Sequence, residues 1–186
     1  MEYSEVNVAF EILLEEVEVA TNALQESGAE LLRCGDFVGA RDAIAEVEKL
    51  TDFRQRIKDL QVDWATLSSV KDRSKTSATR RPVDRRLSKG LRTPEDAFRM
   101  PILEALIELG GSAAIAEVLD KVEDKMKGKL NDHDLQPLAS DPRSIRWRNT
   151  AQWCRNTLVK EGLMRSDSRT GVWEISDRGM RELNRR

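Results

Sequence analysis

The stretch that decides the fold, Arg143–Ser176, reads RSIRWRNTAQWCRNTLVKEGLMRSDSRTGVWEIS. Its first half carries apolar residues at spacings of four, three and four, which is the period of a helix that buries one face. These residues are Trp147, Ala151, Cys154 and Leu158. Gly162 follows, a residue type that commonly ends helices. The pattern therefore predicts a basic amphipathic helix that ends at a glycine.

A two-stranded ribbon is expected to follow this helix. Leu163–Ser166 and Val172–Ser176 flank a polar turn that ends in Thr170-Gly171, the arrangement of a β-hairpin. Two further helices are predicted before the basic helix, the first capped by Thr93 and ended by Gly110-Gly111, the second capped by Ser112. A last helix, capped by Ser176, completes the order helix, helix, helix, strand, strand, helix. That order is typical of a winged helix-turn-helix domain over residues 94–186.

The outer side of the basic helix carries side chains that can read DNA. An arginine fork suits guanine, and asparagine or glutamine amides suit adenine. The residues expected at base edges are Arg148, Asn149, Gln152 and Arg155. Those expected to hold the DNA backbone are Arg143, Arg146, Lys160, Arg165 and Arg169. The alternative interpretation is an ordinary solvated helix surface.

Residues 1–67 are predicted to form an antiparallel, coiled-coil-like helical hairpin. One heptad-spaced seam runs along the first helix, and a second stripe runs along the next. The seam comprises Val6, Phe10, Leu13, Val17, Ala20, Leu24, Ser27 and Leu31; the stripe comprises Leu50, Phe53, Ile57, Leu60, Trp64 and Leu67. Gly35 and Asp36 are the expected cap residues of the turn. Because the first helix has a second apolar face, we expect the hairpin to form a homodimer; the alternative is packing on the chain's own C-terminal domain.

Charge is segregated along the chain, although the net charge is only −2. Segments 1–67 and 94–142 carry −9 and −6, whereas 68–93 and 143–186 carry +7 and +6. Residues 68–93 have few large apolar side chains, which predicts a flexible basic linker. It is either an arm on DNA phosphates or a soluble spacer. The linker residues expected to contact phosphates are Arg80, Arg81, Arg85 and Arg86.

Other classes of protein find no support in the sequence. No apolar run is long enough to cross a membrane, and the acidic start is unlike a signal peptide, so a cytoplasmic protein is expected. Two cysteines and one histidine form no recognisable metal site, and no cofactor motif is present. Glu123-Asp124-Lys125 resembles a nuclease triplet but lies within one predicted charged helix. Trp147 and Trp173 are interpreted as core residues rather than base-stacking platforms; Trp153 lies beside the apolar stripe, and the sequence leaves its direction open. No enzyme is predicted.

Several motifs of the C-terminal half carry a family resemblance. They are MPILEALIELGGSAAIAEVLDKVEDKM, LNDHDLQPL, RWRNTAQWCRNTLVKEGLM and GVWEIS. With these motifs, residues 98–184 resemble the N-terminal winged-helix domain of Mrr-type restriction endonucleases. The resemblance implies a domain that binds DNA and, in the family, delivers a separate nuclease domain, often to modified DNA. Here a helical hairpin precedes the domain and the sequence ends after it, so the expected activity is DNA binding without cleavage.

The sequence thus predicts a mainly α-helical protein that binds double-stranded DNA. A dimeric transcriptional regulator or a restriction- or defence-associated factor is the expected role. The alternative is a coiled-coil adaptor whose winged helix docks another protein, because the fold alone does not separate the two functions.

Overall fold

A computed structural model describes residues 3–72, 92–138 and 142–184. The chain divides into two compact units, of which the first contains residues 3–72 and the second the other two ranges. Within the described residues the chain is mainly helical, as predicted, and none of its helices is long and apolar enough to cross a membrane. The linker residues Arg80, Arg81, Arg85 and Arg86 lie outside the described residues.

The first unit is the predicted antiparallel hairpin of α1 (Tyr3–Arg33) and α2 (Phe37–Asp72). Gly35 adopts a positive φ of 81° in the turn. The Asp36 carboxylate then accepts a hydrogen bond of 2.9 Å from the Gly39 amide and so caps α2. Both predicted cap residues are confirmed.

The seam of α1 that faces α2 differs from the predicted seam at several positions, where the next residue along the chain is buried instead. Leu13 is 43% exposed, and its neighbour Leu14 is buried in its place. Likewise Ala20 and Ser27 are exposed, whereas Thr21 and Gly28 are buried. The α2 stripe was also partly wrong: Ile57 is buried, but the outward residues are Phe53, Leu60 and Leu67.

Polar side chains occupy the places that these apolar residues leave. The Arg54 guanidinium bonds the Glu18 carboxylate at 2.6 and 2.8 Å, and both side chains are almost completely buried. Near the open end of the hairpin, the Gln61 amide donates to Glu11 at 2.9 Å. The hydrophobic cluster between the helices is correspondingly small, comprising Leu14, Val17 and Ile57 with Phe10 at its edge.

The second unit contains four α-helices, a 3₁₀ turn and two short strands within its described residues. These elements are the 3₁₀ helix Glu95–Phe98, α3 (Arg99–Glu108), β1 (Ser112–Ala114), α4 (Ile115–Lys125), α5 (Arg146–Lys160), β2 (Val172–Glu174) and α6 (Asp177–Asn184). All of them contribute to one core that includes Phe98, Ile102, Leu106, Val118 and Trp147.

The strand β1 was not predicted. Ser112 was expected to cap a helix, but it begins β1 instead, and α4 starts three residues later after Ala114. β1 pairs antiparallel with β2, with Ala113 opposite Trp173. The Gly110-Gly111 stop of α3 is confirmed, because both residues adopt a positive φ directly after the helix. This turn directs the chain from α3 onto the edge of the ribbon.

The predicted ribbon is present only in part: Leu163–Ser166 forms no regular strand, but it is bridged to the chain around β2. Met164 and Ile175 form an antiparallel bridge, and the Arg165 amide donates to the Glu174 carbonyl at 3.0 Å. After the ribbon, the Ser176 hydroxyl accepts a hydrogen bond of 3.0 Å from the Gly179 amide, which confirms Ser176 as the cap of α6.

Gly179 marks a very close approach between α6 and the ribbon. A Cβ atom built on this residue would lie 2.2 Å from the Leu163 carbonyl oxygen and 2.8 Å from Ile175 Cγ1. Only a glycine lets the helix backbone come this close. The ribbon is thereby held between α6 on one side and β1 on the other.

Candidate nucleic-acid interface

The basic helix α5 is positioned by a fully buried face. The four residues of the predicted stripe, Trp147, Ala151, Cys154 and Leu158, are all 0% exposed. The helix ends at Glu161, and Gly162 follows with a φ of 72°, as predicted. Because one face is fixed in the core, the orientation of the opposite face is set by helical geometry.

The outer face of α5 carries Arg148, Gln152, Arg155 and Asn156. Gln152 and Asn156 are exposed, whereas Arg148 and Arg155 are half-buried. The structure therefore brings together three of the four residues expected at base edges. Asn149 is only 7% exposed. Since a base contact needs an accessible amide, we leave Asn149 out of the candidate interface.

Arg148 is held by two carboxylates of α4. Its Nη2 atom lies 3.1 Å from Asp120 and 3.4 Å from Glu123. Its guanidinium also stands 5.3 Å from the ring centre of Trp147, a cation–π distance. Arg148 is therefore neutralised within the protein, and a contact with DNA would have to displace these carboxylates.

Arg155 is in the opposite situation. Its guanidinium reaches toward the ribbon, where Nη2 lies 3.5 Å from the Arg165 carbonyl oxygen, and Nη1 lies 3.4 Å from Asn156 Oδ1. Among the described residues no carboxylate pairs with it, and its Nε is buried without an acceptor. Burial lowers the pKa of the Arg155 guanidinium from its ordinary value. The side chain is thus a partly desolvated cation with unused donors.

The ribbon carries one neutralised arginine and one open arginine. Arg165 donates two hydrogen bonds to Asp167, at 2.9 and 2.8 Å, and approaches Glu174 at 3.5 Å. The hydrogen bond with Asp167 and the two negative charges raise the pKa of Arg165. Arg169 lies exposed before the turn, and within the described part of the chain it forms no ion pair.

The remaining predicted backbone contacts differ in their exposure. Lys160 is exposed in the last turn of α5, and no described residue forms an ion pair with it. Arg143 is exposed before the helix, and Arg146, its first residue, is half-buried. We use the term open set for the accessible polar side chains of this surface that form no ion pair with a carboxylate of the described residues. The open set comprises Gln152, Arg155, Asn156, Lys160 and Arg169.

Trp147 and Trp173 are core residues, as interpreted from the sequence, and Trp153, whose direction the sequence left open, is buried as well. Trp147, Trp153 and Trp173 are 0%, 5% and 3% exposed. The Trp147 ring stacks on Phe98 with a centroid distance of 6.3 Å and an interplanar angle of 5°. Since none of the three rings is accessible, a base cannot stack on them without rearrangement.

The candidate nuclease triplet consists of ordinary ion pairs on α4. Glu123 faces Arg148, Asp124 bonds Lys127 at 2.7 Å, and Lys125 bonds Glu108 at 2.5 Å. The three side chains thus have separate partners. Across residues 3–72, 92–138 and 142–184, no group of three or more His, Cys, Asp or Glu side chains is arranged to hold a metal ion.

Sequence reasoning missed a buried polar clamp at the start of the second unit. The Asp134 carboxylate, 1% exposed, accepts hydrogen bonds from the Thr93 amide at 2.7 Å, the Thr93 hydroxyl at 2.6 Å and the Asn131 amide at 2.9 Å. Thr93 therefore does not cap a helix as predicted; Pro94 precedes the 3₁₀ helix instead. Nearby, Thr157 of α5 donates to the buried Glu95 at 2.5 Å. The clamp fixes where the chain enters this unit.

Comparison with known families agrees with the resemblance drawn from the sequence. Residues 96–185 match the family model of the Mrr N-terminal domain. No curated protein and no solved structure matches the chain. The C-terminal half thus matches the Mrr N-terminal domain family, and this match suggests a DNA-binding role related to restriction systems.

Proposed function

We propose that the second unit binds double-stranded DNA through the outer face of α5 and the adjacent ribbon. The observation that carries the proposal is Arg155: a partly desolvated guanidinium without a carboxylate partner among the described residues, located between helix and ribbon and beside the exposed Gln152. A cation with unused donors in this position fits a guanine edge or a phosphate. The family match supports the same function.

In this proposal the open set makes the principal contacts. Arg155 and Gln152 would face base edges from α5, while Lys160 and Arg169 would hold the backbone on either side. Arg148 and Arg165 would contribute less to binding. Each would have to break its ion pair with a carboxylate, and the free energy lost in doing so offsets the free energy gained from a DNA phosphate. The linker arginines would add attraction that does not depend on sequence.

The biological role we propose is that of a dimeric regulator or a restriction-associated DNA-binding factor. The hairpin would join two copies, so that two winged helices meet two half-sites. We propose no catalytic activity for the chain itself. Any cleavage would then come from a partner enzyme.

A matched pair of variants tests DNA binding. Arg155→Ala should weaken binding to a selected duplex by about 10- to 100-fold, whereas Arg165→Ala, which removes an equal charge that Asp167 already neutralises, should weaken it by less than about threefold. Fluorescence anisotropy at 50 and 200 mM salt measures both variants. Equal effects of the two would show that net charge rather than the open set governs binding.

A broader failure would favour the other function considered. If the intact chain bound no duplex at 50 mM salt, the DNA proposal would have to be abandoned. Retained binding of a partner protein by the same preparation would then favour an adaptor that uses its winged helix as a docking module.

A further inference from the structure

The two flanks of the hairpin differ in chemistry. On one flank the seam is lined by Glu18 with Arg54 and by Glu11 with Gln61. Two residues of α1 near the same seam position lie on opposite flanks of the seam. One is the residue directly before the seam position, and the other is the residue four places after the seam position. Leu13 precedes Leu14, and Glu18 follows it by four. Leu13 therefore marks the second flank.

This second flank, which we call the apolar flank, consists of three levels spaced seven residues apart. The bonded pairs Glu18–Arg54 and Glu11–Gln61 fix the register of the two helices, because their residue numbers add to one constant value. By that register each level is expected to place one α1 residue near one α2 residue. The pairs are Val6 with Leu67, Leu13 with Leu60, and Ala20 with Phe53. Two intervals of seven residues give the flank a length of about 21 Å.

The apolar flank is largely exposed in the single chain. Leu13, Phe53, Leu60 and Leu67 are 43%, 41%, 57% and 65% exposed. At about 200 Å² for a large apolar side chain, these four expose roughly 400 Å² per copy. Two flanks would contribute roughly 800 Å², and the residues around these four side chains would supply the remainder of the roughly 1,200 Å² at which specific interfaces begin. The flank is thus as large as the largest apolar patches of ordinary monomers, which often mark interaction sites.

We propose that the apolar flank binds the same flank of a second copy around a twofold axis parallel to the helices. This inference deepens the dimeric part of the proposed function. The axis places α1 of one copy opposite α2 of the other at the same level. Phe53 then meets Ala20 of the second copy, Leu60 meets Leu13, and Leu67 meets Val6. The largest side chain faces the smallest, as well-packed bundle layers require.

The symmetry also gives a regular bundle. Each α1 has an α2 neighbour on both sides, so that all adjacent helices are antiparallel, which is a common arrangement of four-helix bundles. The contact is closed, because the same surface is used on both copies and neither apolar flank remains free to recruit a third copy. The polar flank, with its buried ion pair, remains outside the contact.

The first test measures the mass of the full chain in solution. Multi-angle light scattering at about 20 µM should give twice the 21.1-kDa chain mass. Leu67→Asp should reduce the mass to that of one chain. Val62→Asp provides the matched control, because Val62 is equally exposed, at 65%, but lies off the flank on α2; this variant should remain dimeric. Circular dichroism checks that both variants keep their helices.

The second test determines the symmetry by oxidative crosslinking. Leu13→Cys and Leu60→Cys chains are prepared separately in a background in which the exposed Cys34 is replaced by serine. Mixing the two should give a crosslinked pair, whereas each alone should stay uncrosslinked. Leu13→Cys chains that crosslink with each other would overturn the proposed axis, since a perpendicular twofold axis places Leu13 against itself.

The outcomes separate this proposal from DNA binding. A wild-type chain that is monomeric at 20 µM would overturn the interface, and so would equal loss of the dimer in Leu67→Asp and Val62→Asp. If the apolar flank were instead covered by the C-terminal unit of the same chain, light scattering would find the mass of one chain. Loss of the dimer with retained, weaker DNA binding leaves the DNA proposal intact, because the mass measurement contains no DNA.

Discussion

The hairpin and the C-terminal domain differ in which side chains they bury. The domain gathers Phe98, Trp147, Trp173 and their neighbours into one core and leaves basic side chains outside. The hairpin buries an ion pair and leaves leucines outside. Apolar burial is the main driving force of folding; the domain gains it within its own core, whereas the hairpin has unused apolar surface. The difference teaches that the hairpin leaves apolar surface open to a further contact, whereas the domain presents mainly polar and basic side chains.

Breaking the tight packing of the domain should have the largest effect. Gly179→Ala places a Cβ 2.2 Å from the Leu163 carbonyl oxygen, so that α6 must move away from the ribbon at a cost of about 4 kcal/mol. Gly110→Ala is the control; its Cβ would meet nothing within 4 Å, and its positive φ alone costs about 1 kcal/mol. Denaturant unfolding followed by tryptophan fluorescence measures both. Equal costs would contradict the close packing of α6.

The polar interior of the hairpin should be the next most sensitive place. Arg54→Leu leaves the buried Glu18 without its partner and should lower the free energy of unfolding by about 3 kcal/mol. The double variant Glu18→Leu with Arg54→Leu should recover most of the loss, because an apolar pair needs no compensation. Helix circular dichroism in denaturant measures the cycle. Additive losses would show that the two side chains do not act as a pair.

The smallest effect concerns a surface pair of the domain. The hydrogen bond from Lys125 lowers the pKa of Glu108 below its ordinary value. A carboxyl whose pKa is lower in the folded state stabilises the fold above its unfolded pKa, and this contribution disappears as the pH falls through the folded value. Carboxyl NMR titration should find the Glu108 midpoint below 4.5, and Lys125→Met should raise it toward that value. An unchanged midpoint would exclude the pair in solution.

These comparisons also show where sequence reasoning succeeds. The helical period identified the buried face of α5, because four apolar residues on one stripe leave one orientation. Glycines and cap residues placed the turns at Gly35, Gly162 and Ser176, because their backbone or side-chain chemistry acts locally. Local rules therefore predicted the helices of the domain in their order and the buried face of α5.

The misses come from contacts between distant residues. Glu18 and Arg54 are 36 residues apart, and nothing in either helix alone reveals that they meet inside the seam. Helix α1 carries two apolar stripes of the same helical period, so the sequence does not reveal which of the two faces α2. Asn149 lies beside the buried stripe, and whether it is covered depends on neighbouring elements. β1 has only three residues, too few for a detectable alternation.

The clamp around Asp134 decides where the domain may be cut. The expected boundary at residue 94 and the family match from residue 96 both begin after Thr93. A fragment that starts at either point lacks the amide and the hydroxyl of Thr93. Of the three hydrogen bonds to the Asp134 carboxylate, which is 1% exposed, only the one from the Asn131 amide is then kept. Arg92, itself 2% exposed, is lost as well. For crystallography or binding screens, a truncation should therefore begin upstream of Arg92.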